Sequence, residues 1–107
     1  MSEVENVTRD EVKQGLADDS IILIDVREPH EWAAGHIDGA VLMPLSTFDA
    51  ADLPAPSQKK IVFQCNSGKR TLMALQAAHA GGRTDINAHY EGSFQDWRNA
   101  GEPIARD

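Results

Sequence analysis

The sequence predicts an α/β domain built on a parallel sheet with helices on both faces, and three observations carry that expectation. Ile21-Ile22-Leu23-Ile24 and Ile61-Val62-Phe63 are apolar at every position rather than alternating, the pattern of strands covered on both sides. Segments with helix signals alternate with such strands, as a parallel sheet with right-handed crossovers requires. The length of 107 residues fits one domain, and 41% hydrophobic residues suffice for a core without disulfide or metal staples. The expected domain is 1–107, with its core at about 4–104.

Val4 to Val7 reads as the first strand. Thr8 and Glu11 then have the spacing of a capping box that starts a helix, with Val7 and Val12 placed as a hydrophobic staple across it. That helix is expected to end near Ala17 or Asp18, ahead of the strand Ile21 to Ile24. A short helical stretch follows at His30 to Ala34, then a strand at Ala40 to Met43 and an irregular, Pro-punctuated connection from Pro44 to Pro56. After the strand Ile61 to Phe63, the alanine-rich run Lys69 to Ala80 lacks Pro and Gly and predicts a helix stopped by Gly81-Gly82. Asp85 to His89 reads as the last strand. Ser93 is the expected N-cap of a final helix that carries Phe94 and Trp97 and ends at Gly101 and Pro103. No internal repeat, low-complexity tract or interdomain linker is visible.

Ten Lys and Arg against 17 Asp and Glu give a formal charge of -7, so the average field repels polyanions and nucleic acid is not an expected partner. The single cysteine precludes an internal disulfide. Met1-Ser2-Glu3-Val4-Glu5 has neither the basic nor the apolar part of a secretory signal, and a reducing cytoplasm is expected. Apolar runs fall far short of the roughly 20 residues that span a membrane. No histidine pair has metal-site spacing and one cysteine cannot build a thiolate cluster, so neither metal nor other cofactor is expected.

Chemistry is concentrated at Cys65. It follows a buried-type strand and precedes a helix by one tight turn containing Gly68, a geometry in which backbone N–H groups converge with the positive end of the helix dipole. Lys69 and Arg70 add positive charge, so a Cys65 thiolate is favoured and its pKa is expected below the free value of about 8.5. A lone buried cysteine is usually an inert small hydrophobe. The strand-loop-helix placement and the spacing Cys-x-x-Gly-x-Arg are what make this one a candidate nucleophile.

The loop Cys65-Asn66-Ser67-Gly68-Lys69-Arg70 resembles the active-site loop of the rhodanese family. Asp25-Val26-Arg27-Glu28 with Glu31-Trp32, then Gly35-His36-Ile37-Asp38-Gly39-Ala40 and Pro44-Leu45, is similar to the family's first characteristic segment. Gly92, Trp97, Gly101 and Pro103 resemble its closing segment. The resemblance implies five parallel strands flanked by helices, and a sulfurtransferase in which Cys65 is the catalytic nucleophile and passes through a persulfide. It further implies a small anionic or persulfide donor such as thiosulfate, an acceptor such as cyanide, a thiol or a protein sulfur acceptor, and a substrate-binding loop of Asn66, Ser67, Gly68, Lys69, Arg70 and Thr71. In that reading the amides from Asn66 to Thr71 hold the sulfur anions, while Lys69 and Arg70 orient the donor or Arg70 turns away to brace the loop. Three departures stand out: Ser93 where many relatives have a second glycine, Thr71 where serine is common, and a polar Asp85 to His89.

Asp25 and Arg27 follow the central strand and are read as site scaffold, through an ion pair or loop-bracing hydrogen bonds, with Glu31 as another partner for Arg27. His36 is read as a loop histidine satisfied by backbone groups, and Trp32 and Trp97 as fillers of the core edge. Sequence assigns His79 and His89 no partner. Two other functions compete. Phosphatases and arsenate reductases of the cell-cycle phosphatase type share the architecture, but their loops place five residues between Cys and Arg, whereas four intervene here, Asn66 to Lys69. A non-catalytic rhodanese-like binding or regulatory module is the other, although such modules commonly lack the cysteine that this chain retains.

Overall fold

The computed structural model describes residues 4–106; Met1 to Glu3, part of the N-terminal segment read for a signal, and Asp107 lie outside the described residues. The elements are β1 (Glu5–Val7), α1 (Arg9–Ala17), β2 (Ile21–Asp25), α2 (Pro29–Ala34), β3 (Val41–Leu42), β4 (Lys60–Gln64), α3 (Arg70–Ala80), β5 (Ala88–Tyr90) and α4 (Ser93–Asn99). All strands are parallel, in the order β1-β5-β4-β2-β3. Thr8 and Glu11 form the capping box of α1, with Val7 and Val12 both buried beside it. Between β3 and β4 the chain makes two single 3-10 turns, Leu45–Thr47 and Ala50–Asp52.

The continuous apolar runs exist because β2 and β4 feed two cores at once. Ile61, Phe63 and Cys65 pack with Ile24 and with Ala74, Leu75 and Ala78 of α3. The intervening Val62 packs with Leu23, with Val12 of α1 and with Phe94 and Trp97 of α4. Side chains alternate across the sheet with period two, so a strand buried on both faces needs an apolar residue at each position. Asp96 joins the two helices of the second face: it accepts from Arg9 at 3.0 Å and from the hydroxyl of Tyr90.

Two elements differ from expectation. The last strand is Ala88–Tyr90 rather than Asp85 to His89. It lies inside the sheet between β1 and β4, where exposed Asp85 has no place; Asp85 instead takes Arg83 at 3.0 Å in the preceding turn, and Tyr90 is buried. Ser93 is not the N-cap of α4. Gly92 holds that position, and the Ser93 side chain turns inward from a backbone at φ 58°.

Gln64 ends β4 in register with Asp25 and is fully buried, and among the described residues neither of its amide atoms has a hydrogen-bond partner. An amide removed from water without a partner carries its desolvation cost uncompensated. Gln64→Met, of similar shape, is therefore expected to raise stability by about 1 kcal/mol, read as a higher urea midpoint at unchanged slope.

Candidate active site

Cys65 stands at the carboxyl end of β4, flanked in the sheet by β2 and β5. Its side chain is only 1% exposed, so any charge on the sulfur has to be answered from within the protein. The chain answers by turning sharply into α3. Gly68 donates its N–H to Sγ at 3.1 Å, and the amides of Ser67 and Thr71 add their dipoles in favour of a charged sulfur. This turn requires glycine: Gly68 has φ 88°, and a Cβ there would sit 2.4 Å from the carbonyl oxygen of Glu91.

Burial pushes the Cys65 thiol pKa up, while the amides of Thr71, Gly68 and Ser67, with the Ser93 hydroxyl, pull it below its ordinary value. The sequence reading attributed the lowering to the helix N-terminus together with Lys69 and Arg70. Arg70 does interact electrostatically with Cys65, but its guanidinium is held by Glu31 at 2.7 and 2.9 Å, and the Lys69 side chain is exposed. Peptide dipoles are the larger effect. Of the two expected roles for Arg70, the geometry is that of a brace between the loop and α2.

Asp25 and Arg27 form a buried, forked pair. Arg27 Nη2 lies 2.9 Å from Asp25 Oδ2, Nε lies 3.1 Å from both carboxylate oxygens, and the Arg27 amide donates to Oδ1 at 2.9 Å. Arg27 Nη2 also donates to the Gly35 carbonyl at 2.8 Å, and the guanidinium stacks 4.2 Å from the Phe94 ring. Arg27 thus ties the end of β2 to α2 and α4, and Glu31 goes to Arg70 rather than to Arg27.

Around Cys65 stand Thr71, already named in the expected loop, and two side chains that the sequence reading did not assign to the site, Ser93 and His89. Ser93 Oγ accepts from the Cys65 N–H at 3.1 Å, donates to the Tyr90 carbonyl at 2.8 Å and lies 3.9 Å from Sγ. The signal in the sequence was a serine following Gly92 where a second glycine is common, and the structure places Ser93 in the left-handed region at φ 58°. Thr71 Oγ1 donates to the Gly68 carbonyl at 2.9 Å and lies 2.6 Å from His89 Nδ1, and His89 Nε2 lies 2.9 Å from Asn6 Oδ1. Burial lowers the His89 pKa in this chain of contacts from the loop to β1. The pairing of Asn6 with His89 is set by the parallel register of β1 and β5. His79 Nε2 bonds the Ile86 carbonyl at 2.6 Å, and His36 stacks on Trp32 at 3.6 Å with Nδ1 on the Trp32 carbonyl. Trp97 is buried and donates to the Pro103 carbonyl.

A cavity of about 330 Å³ opens beside the loop, with Arg27, Glu31, Asn66, Phe94, Arg98 and Arg106 in its walls. Another of about 340 Å³, at the amino ends of β4 and β5, is lined by Glu5, Lys60 and Asp85 and lies at the wrong end of the sheet to serve Cys65. Among the described residues no cluster of His, Cys, Asp and Glu is suited to a metal ion, and no helix is long and apolar enough to cross a membrane.

Comparison with known proteins gives consistent matches. The family described as Rhodanese-like domain matches residues 8–100. The uncharacterized protein slr1261 of Synechocystis is 39% identical over 82% of this chain, which spans 49% of that protein's length. The thiosulfate:glutathione sulfurtransferase of Saccharomyces cerevisiae is 31% identical, over 94% of this chain and 83% of its own. The structure of the human single-domain sulfurtransferase TSTD1 superposes with a TM-score of 0.72 at 31% identity, covering 90% of this chain and 96% of that one.

Two outcomes are expected of this geometry. The rate of Cys65 alkylation against pH has a midpoint below the free-thiol value of about 8.5, and Gly68→Ala raises that midpoint while lowering stability by about 2 kcal/mol or more. The Arg70 hydrogen bonds hold the Glu31 carboxyl at about 2, against an ordinary 4.5. A depressed carboxylate pKa contributes stability above pH 4.5 that is lost as pH falls toward 2, so Glu31→Gln flattens the acid limb of a stability-versus-pH curve in that window.

Proposed function

The chain belongs to the rhodanese-like family, and on that premise we propose that it is a sulfurtransferase of the thiosulfate sulfurtransferase type working through a persulfide on Cys65. The observation that carries this reading is the Cys65 sulfur itself, buried in a ring of peptide N–H groups with its pKa drawn down. In the first half-reaction the thiolate attacks the outer sulfur of thiosulfate. The new Cys65 S–S bond forms as the sulfur–sulfur bond of the donor breaks, and sulfite leaves with the electron pair. In the second, an acceptor thiolate or cyanide attacks the outer sulfur, and the Cys65 thiolate departs. Charge on sulfur is conserved through both steps, so the same amides of Ser67, Gly68 and Thr71 serve the resting and the loaded enzyme.

In this reading Asp25, Arg27, Glu31 and Arg70 position the loop, and Asn66 and Lys69 face the incoming donor. A glutathione-type acceptor is supported by the similarity to the yeast thiosulfate:glutathione sulfurtransferase, and a protein acceptor fits the same chemistry. A single cysteine, with no second one to form an internal disulfide, suits a cytoplasmic setting. A phosphatase reading loses its main support in the ion pair of Arg70 with Glu31, which occupies the guanidinium that would grip an oxyanion bidentately.

Intact-protein mass after incubation with thiosulfate tests the proposal. One added sulfur, removed by cyanide with release of thiocyanate and absent in folded Cys65→Ser, is the expected result. A chain that stays unmodified by thiosulfate and by an organic persulfide is instead a binding module.

A further inference from the structure

Among the described residues, seven of the ten Lys and Arg side chains have a carboxylate within ion-pairing distance. Among the described residues the three that do not are Lys69, Arg98 and Arg106. Their location is not scattered: Lys69 belongs to the Cys65 loop, and Arg98 and Arg106 stand in the wall of the adjoining cavity of about 330 Å³. In a chain with 17 acidic residues, unneutralised cations gathered at one place form a local positive patch inside a repulsive average field.

The structure also holds this patch in place. Ala105 and His36 exchange backbone hydrogen bonds of 2.8 and 2.9 Å, which fixes the C-terminal segment across α2, and Arg106 Nε donates to the Ala34 carbonyl at 3.1 Å. Arg98 lies 5.9 Å from the face of Phe94. None of these contacts cancels a charge. The other two ionic residues of the wall are already neutralised, Arg27 by Asp25 and Glu31 by Arg70, so the cavity presents two net positive guanidinium groups beside Asn66, the neighbour of the nucleophile. Its volume is at the lower end of the range for sites enclosing organic ligands, and larger than inorganic thiosulfate fills.

We propose that this cavity is the acceptor subsite, and that it selects small thiols bearing carboxylates by pairing those carboxylates with Arg98 and Arg106. The assignment rests on the persulfide reading of Cys65 and adds the acceptor class to it. The acceptor thiol loses its proton to solvent; its thiolate attacks the outer sulfur of the Cys65 persulfide, the bond between the two sulfurs of Cys65 breaks, and the acceptor leaves as a persulfide.

The test compares mercaptosuccinate, a dicarboxylate thiol, with uncharged 2-mercaptoethanol as acceptors for wild type and for Arg98→Gln/Arg106→Gln. Taking the wild-type to variant ratio of kcat/KM for each acceptor cancels the intrinsic reactivity of its thiol. The ratio is expected to be at least about fivefold larger for mercaptosuccinate, the effect of losing one to two exposed ion pairs. Equal ratios overturn the proposal. A second measurement does not depend on turnover: mercaptosuccinate is titrated into Cys65→Ser protein, and amide shifts are followed by NMR. Saturable shifts at Asn66, Arg98 and Ile104 that disappear in the triple variant support the subsite, and their absence overturns it. Failure of thiosulfate to load Cys65, with the titration still positive, would count against the sulfurtransfer reading and not against the pocket.

Discussion

A buried thiolate is tolerable only where fixed dipoles replace the water it has lost, and at Cys65 the dipoles are peptide N–H groups of the loop between β4 and α3. Much of the surrounding structure follows from that requirement. The loop has to be short for its amides to converge, and shortness forces Gly68 into a positive φ against the Glu91 carbonyl. The strand that delivers the cysteine has to be rigid, and β4 is central, paired with β2 along its whole length and with β5 near its middle. The helix that receives the chain supplies further oriented dipoles at its first turn.

Holding that loop falls to two ion pairs whose charges are thereby used up. Arg27 is locked to Asp25, Gly35 and Phe94, and Arg70 is locked to Glu31. A buried pair such as Arg27 with Asp25 adds little over an apolar replacement, yet leaving one partner alone is costly, so its effect is to fix geometry more than to add stability. The consequence is subtractive: with Arg27 and Arg70 paired, Lys69, Arg98 and Arg106 are the cations near the loop that have no carboxylate partner among the described residues.

The inner side of the site is built from two hydroxyl side chains, Ser93 and Thr71. Serine at position 93 accepts the strain of a left-handed backbone, which costs roughly 1–2 kcal/mol outside glycine. In return its hydroxyl satisfies the Cys65 N–H and the Tyr90 carbonyl and stands next to the sulfur. Thr71 keeps the hydroxyl that a serine would supply, and its partner His89 extends the support to β1.

Local chemistry was legible in the sequence wherever neighbours in the chain decide the outcome. The capping box at Thr8 and Glu11, the doubly buried runs Ile21 to Ile24 and Ile61 to Phe63, and the turn at Gly68 each depend on residues a few positions apart. The polar stretch after Gly82 was misjudged, because the strand there is selected by its place between β1 and β4 and not by its own propensity. Partnerships across the sheet were invisible for the same reason. Arg70 meets Glu31 39 residues away, His89 meets Asn6 83 residues away, and Arg106 reaches Ala34 across 72. Strand order and helix packing alone bring such residues together. The sequence by itself determined that a cysteine would sit in a nest of amides; the tertiary structure decided which charges around it are neutralised and which are not, because ion pairing depends on distances that only the folded chain defines.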